Sequence, residues 1–483
     1  MDPTTRIAPR TATRIALIAC LGMALALTTP AATAADATTS IDDQVDVAVT
    51  VYNNDLALVR DRRTMTLPTG VHTLQFEDVA SRIMPETVSI QSLAQAGSLA
   101  VLEQNYEFDL ISPEKLLEKY VGRQVQLRNL SNDYDFALVD ATLMSVNGGP
   151  VYRVDDQIYL GHPGQVVLSE IPDSLIAKPT LIWMLENGRA EQEIEATYLT
   201  GGISWRADYV LTLDRNDSVC DIAGWVTLNN QSGATYENAE LKVVAGEVNR
   251  ARQEMPKAYA MRAEMMAMDV AGAPPMQQES FAEYHLYTLP RRTTIRQNQS
   301  KQVSLLTANG VACEKVYEFR GQQHYFHSRQ QPISDQRAEV FLRFQNEEDN
   351  EMGMPLPMGI VRIYQEDSSG ALQFAGEDNI NHTPRNEEVR IKMGNAFDVV
   401  GERIHTNWRD LGSNTYESSF DIEIRNRKES AISVSIVEPI PGDWVITDST
   451  HEHTKRDAFT AVFEVPVGAD EEVTVSYTVR VRF

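Results

Sequence analysis

The chain has 483 residues, 42% of them hydrophobic, enough for two to four domains with cores of their own. Its 68 Asp and Glu against 43 Lys and Arg give a net charge of −25, which repels phosphate backbones and anionic lipid surfaces. Nucleic acid and electrostatic membrane binding are therefore poor candidates, and the charge reads first as a means of keeping the chain soluble.

The first 34 residues have the three parts of a secretory signal peptide. Arg6, Arg10 and Arg14 make a basic start, Ile15 to Leu27 an apolar run too short to span a bilayer, and Ala32-Thr33-Ala34 a small-residue cleavage motif after Pro30. Cleavage is expected after Ala34. Leu17-Ile18-Ala19-Cys20 has the form of a lipoprotein box, but only five residues separate Arg14 from Cys20. An apolar region usually needs about 7–15, so soluble export to the periplasm or the exterior is favoured over a lipid anchor. The leader carries three Arg against one Asp, so its loss takes the net charge from −25 to −27. No later apolar stretch reaches the roughly 20 residues of a spanning helix, and the mature chain is expected to have no transmembrane helix.

From there, period-two alternation dominates. Val45, Val47, Val49 and Val51 alternate with Asp46, Ala48 and Thr50, as in a half-buried strand. One helix is legible: Ser112 is its N-cap, Pro113 its first residue, Leu116, Leu117 and Tyr120 its apolar face, and Gly122 its stop. Short strands over 124–167 suggest a small barrel-like insertion, about 112–170, in an N-terminal β domain of 45–195. Trp205, Ala207, Tyr209, Leu211 and Leu213 open a central β domain of 196–400. It is interrupted by 250–283, an aperiodic Met-rich segment with Pro256, Pro274 and Pro275 that reads as exposed or disordered. The stretch 401–483 has the size and rhythm of a β-sandwich, ending on the alternating strand Val473 to Phe483. Strand spacing and an aromatic content of 7% speak against a membrane barrel. The fold class is mainly β: multi-domain antiparallel sandwiches, a small barrel-like insertion, one short helix and a disordered Met-rich segment.

Four segments resemble a known bacterial family. They are Thr197 to Tyr209 (TYLTGGISWRADY), Gly224-Trp225-Val226 through Gly233, Val51 to Val59 (VYNNDLALV), and Gly353 to Gly359 (GMPLPMG). Together they are similar to proteins carrying the domain of unknown function DUF4139, within a broader group that includes mucoidy inhibitor A-like proteins. The long coiled coil of the latter is missing, since no sustained heptads occur. The resemblance implies an exported, β-rich envelope protein and supplies no catalytic motif. Read as residues, Trp205, Tyr209 and Trp225 are anchors for a sheet core, and the glycines mark turns.

Candidate sites are few. Met255, Met261, Met265, Met266, Met268 and Met276 crowd one segment, and thioethers are soft Cu(I) ligands. No His or Cys interleaves them, which favours a linker. Cys220 and Cys313, the two cysteines after the leader, could pair in an oxidising compartment, depending on the fold. His451 and His453 would share a face on a strand, unlike His324 and His327, but further ligands cannot be placed. The acidic run Glu347 to Glu351 lacks calcium-loop spacing and reads as a hairpin tip, and Asp214, Asp217 and Asp221 as turn residues. Nucleophile elbows, zinc-protease motifs and phosphate loops are absent. The expectation is a binding or scaffolding protein of the envelope, with a protein or glycan partner, no cofactor and no nucleic acid. A carboxylate-dependent hydrolase and a Cu(I)-handling protein are the alternatives.

Overall fold

The structure, a computed structural model, describes residues 37–107, 109–128, 138–161, 164–172, 175–246, 248–249 and 276–483. The valine alternation near its start folds as a hairpin. Strand Gln44–Tyr52 pairs antiparallel with Leu56–Thr66, turning through Asn54 and Asp55 at φ 70° and 56°, a left-handed conformation these residues tolerate. Val47, Val49 and Val51 are buried, while Val45 lies exposed at the strand's end.

This hairpin is the centre of one sheet. Strand Tyr236–Ala245 joins Gln44–Tyr52 in parallel, and Glu191–Thr200 joins Leu56–Thr66 antiparallel. A second sheet, built on Ile203–Leu213, Val219–Asn230 and the first part of Gln299–Arg320, packs against it. Trp205, Ala207, Tyr209, Leu211 and Leu213 all point into the shared core, as their alternation requires. Trp225 is the exception among the expected anchors. It sits opposite Asp208 in the ladder and so faces the other side, half-buried, because position parity and not side-chain size decides the face. One contiguous core draws residues from both sides of the 195/196 position, from Val47 to Ile391.

The helix forms at Pro113–Tyr120, and the Ser112 hydroxyl accepts from the Lys115 amide at 3.1 Å. After it, five strands follow the order 157–160, 151–154, 138–145, 124–128, 165–167 around a small core of Tyr120, Val125, Leu127, Ala141, Leu143 and Tyr152. Among the described residues the two outer strands do not pair, so this sheet is open and no closed barrel forms. The expected disorder of 250–283 also needs correction at its end. Gln277–Phe281 is a strand paired with Tyr284–Thr288, and Met276 is core.

The second core belongs to a C-terminal sandwich of Thr415–Asn426, Ile432–Pro439, Thr460–Val467 and Glu472–Arg482. Two very long strands enter both bodies. Gln299–Arg320 pairs with Val219–Asn230 along its first half, then with Ile333–Gln345 and Ile432–Pro439. Glu388–Gly412 pairs first with Ile333–Gln345 and then with Thr415–Asn426. At about 3.3 Å per residue the former extends for about 70 Å. Continuous ladder hydrogen bonds, in place of a linker, therefore fix one sandwich on the other.

Candidate functional site

Where the two long strands cross from one core to the next, the surface dips into two adjoining depressions of about 280 and 290 Å³. Both are lined by Lys315, Tyr317 and Lys428, so they form one groove. The ladder sets these positions: Lys315 lies opposite Leu342, and Tyr317 lies between Val340 and Val434. Lys428 comes from a turn that the buried Asn426 holds, donating to Ser430 O and Gly468 O at 2.9 and 2.8 Å.

The polar wall is mostly self-paired. Lys315 Nζ lies 3.0 Å from Asp217 Oδ2, and Gln365 donates to the other Asp217 oxygen at 2.6 Å. Arg343 grips Glu314 at 2.8 Å, and the Ser435 hydroxyl meets Glu464 at 2.8 Å. Lys428 differs. Its ammonium donates to the Tyr317 hydroxyl at 2.7 Å, and among the described residues no carboxylate stands within ion-pair distance of it. The opposite wall sets Val340, Ala375, Met393, Ala396 and Phe397 beside the polar Asn395 and Asp398. Phe397 is 78% exposed, with the Arg337 guanidinium 5.2 Å above its ring. An apolar strip facing a cation bound to a hydroxyl but not ion-paired can take an extended segment that carries one apolar side chain and one anionic or carbonyl oxygen. A larger depression, about 370 Å³, lies beside Glu77, Glu107 and Lys178, but Lys178 is already ion-paired with Asp78.

A second group of polar residues is wholly interior. Arg403 and Glu438, 2% and 0% exposed, pair at 2.6 Å in the C-terminal core beside the Tyr477 hydroxyl. The contact lacks directed hydrogen-bond geometry, and among the described residues Arg403 has no other acceptor. Burial first, then the Glu438 charge, push the Tyr477 phenol well above its ordinary range. Arg63, equally buried, contrasts with it: Asp61, Thr39 O and Glu77 O accept its protons, and Phe76 lies under its plane. Sequence offers no signal for Arg403–Glu438, because Arg at an inward strand position is legible only once its partner is known.

The residues singled out from sequence mostly do other work. Ala34, Cys20, Met255, Met261, Met265, Met266 and Met268 lie outside the described residues. Met276 is 5% exposed in the first core, so its thioether is packing and not a free ligand. Cys220 and Cys313 are free thiols brought side by side. His451 and His453 stand between strands, not on one; His451 meets the Thr450 hydroxyl and His453 packs on Phe463. His327 stacks on Phe483, and His324 meets Tyr325 edge to face. Among the described residues no three His, Cys, Asp or Glu converge as a metal site would require. Glu348–Asn350 is a single 3-10 turn between strands, closed by Glu351 at φ 57°. Asp214 caps its own turn through the amides of Ser218 and Val219, and Asp221 accepts from Gly310.

The motif residues behind the family resemblance converge as structure. Asp55 accepts from the Gly202 amide at 2.9 Å, and Gln231 donates to Gly202 O at 2.5 Å, so three of the four segments meet at one end of the first sandwich. A side chain on Gly202 would strike the backbone at Gln231 and Ser232, and φ of +80° independently favours glycine there. The fourth segment is held by two buried phenols, Tyr209 to Pro357 O and Tyr287 to Pro355 O, each at 2.8 Å.

Residues 194–483 match the family model described as a domain of unknown function, DUF4139. No curated protein matches the chain. The matched span takes in the C-terminal sandwich, the second sheet of the first sandwich and all of the groove's lining residues, but not the 44–66 hairpin. Among the described residues, no helix is long and apolar enough to cross a membrane.

Proposed function

The chain belongs to the DUF4139 family, and from that premise we propose that it is an exported protein of the cell envelope that binds another envelope component through the groove between its sandwiches. The leader pattern at 1–34 supports export. The groove carries the binding reading, because it sets the exposed Phe397 and its apolar neighbours beside Lys428, a cation with no ion pair among the described residues. Rigid strands on both sides keep the two walls in register, so a ligand pays little to organise them. Three of the four carboxylates lining the groove support catalysis poorly: Asp217, Glu314 and Glu464 are each engaged by Lys315, Arg343 or Ser435, which leaves Asp398 alone. A carboxylate pair for glycoside hydrolysis needs a free acid and a free base facing a substrate.

The test is a photo-crosslinking amino acid placed at Phe397 or at Arg343, with an outward position of the helix, Glu114, as control. In the native envelope, crosslinks to one partner are expected from the groove positions and not from Glu114. Equal labelling at all three, or robust turnover of envelope substrates by the purified chain, refutes the proposal.

A further inference from the structure

Cys220 and Cys313 meet behind the polar wall of the groove. Val219–Asn230 pairs with Gln299–Arg320 so that Cys220 lies opposite Val311. Cys313, two residues further on, therefore shares its face of the sheet. The Cys313 amide donates to Ser218 O at 3.0 Å, which sets the two thiols as a diagonal pair across the ladder, close enough to influence each other's ionisation. The ladder already carries a bulge between Cys220 and Ile222, which sharpens the local twist that brings one diagonal pair of a sheet together. Cys220 is buried and Cys313 half-buried. Their mutual contact first, and burial second, push the Cys220 thiol far up, while the same contact holds Cys313 below the ordinary thiol range. Cys313 is thus both the better thiolate and the one that a reagent reaches.

We propose that Cys220 and Cys313 are a modification site that closes into a cross-strand disulfide by exchange with an oxidising disulfide. The Cys313 thiolate attacks one sulfur of that disulfide, breaking its S–S bond and expelling one thiolate, to give a mixed disulfide on Cys313. Cys220 loses its proton to solvent and attacks the Cys313 sulfur, expelling the second thiolate. Both leaving groups take up protons, so two protein thiols are oxidised and one external disulfide is reduced to two thiols. The new bond ties the 214–218 turn to the long strand that carries Lys315, and so fixes Asp217 against Lys315 in the groove wall. The proposal rests on the export reading only for where the oxidant is met.

The reduced, purified chain is incubated with oxidised glutathione, denatured with an alkylating reagent, and mapped by mass spectrometry. A linked Cys220–Cys313 peptide is expected; two alkylated thiols overturn the proposal. In the Cys220→Ser variant a stable glutathione adduct should build up on Cys313. In Cys313→Ser, Cys220 should react at least tenfold more slowly. The reverse order of reactivity overturns the mechanism. Fractionation of the source cells reads export separately: a chain that closes in the tube but resides in the cytoplasm refutes export and leaves the disulfide chemistry standing.

Discussion

Glu438→Ala tests the energetic account of the C-terminal sandwich most directly. The substitution removes the only carboxylate beside Arg403 among the described residues, where its guanidinium, 2% exposed, has no other acceptor. A buried cation stripped of its partner costs about 3–5 kcal/mol, because neither water nor protein repays its lost solvation. The same argument predicts that removing both charges is mild. Arg403→Met with Glu438→Leu replaces an imperfectly directed ion pair by apolar volume, and such swaps are often neutral or stabilising by about 1–4 kcal/mol. The double variant should therefore be at least about 2 kcal/mol more stable than Glu438→Ala alone. The corresponding Asp61→Ala leaves Arg63 with two backbone acceptors and an aromatic face, so it should cost less than Glu438→Ala. Urea unfolding followed by tryptophan fluorescence, with Trp444 inside the affected core, gives the numbers. A Glu438→Ala variant within about 1 kcal/mol of the parent, or a double variant no better than the single one, would refute the reasoning.

Two further expectations follow from the packing. Gly359 lies opposite Ala207 in a parallel ladder, and a Cβ there would press into the Ala207 carbonyl, which the strand cannot move; Gly359→Ala should cost about 1–3 kcal/mol in the same urea titration, and an unchanged midpoint would contradict that contact. His405 accepts from the Gln330 amide at Nδ1, 3.0 Å away, and burial before all else lowers its pKa. A depressed histidine favours the neutral fold, so its contribution is complete above the unfolded value of about 6.5 and is lost as pH falls below it. His405→Asn should flatten the stability profile between about pH 7 and pH 5, and an unchanged slope would remove His405 as its source.

Local rules in the chain determined a good deal. The helix at Pro113–Tyr120 was readable from Ser112, Pro113 and Gly122 because caps act within one turn. The strand Ile203–Leu213 was readable because every second residue must meet the same core. The mainly β class followed from repeating that pattern. Tertiary structure decided what separation in the chain conceals. Trp225 faces away from the core because ladder register, invisible in one strand, sets its side. Met276 left the Met-rich segment for the core because its amide donates to Leu305 O on the long strand just before the hairpin begins. The inserted sheet stays open because its end strands find no mutual partner among the described residues. Above all, Tyr317 and Lys428 are 111 positions apart and meet only because strand Gln299–Arg320 passes from one sandwich into the other. Composition determined that the surface would be acidic; only the junction decided that a cation without an ion pair among the described residues would share a depression with an exposed phenylalanine.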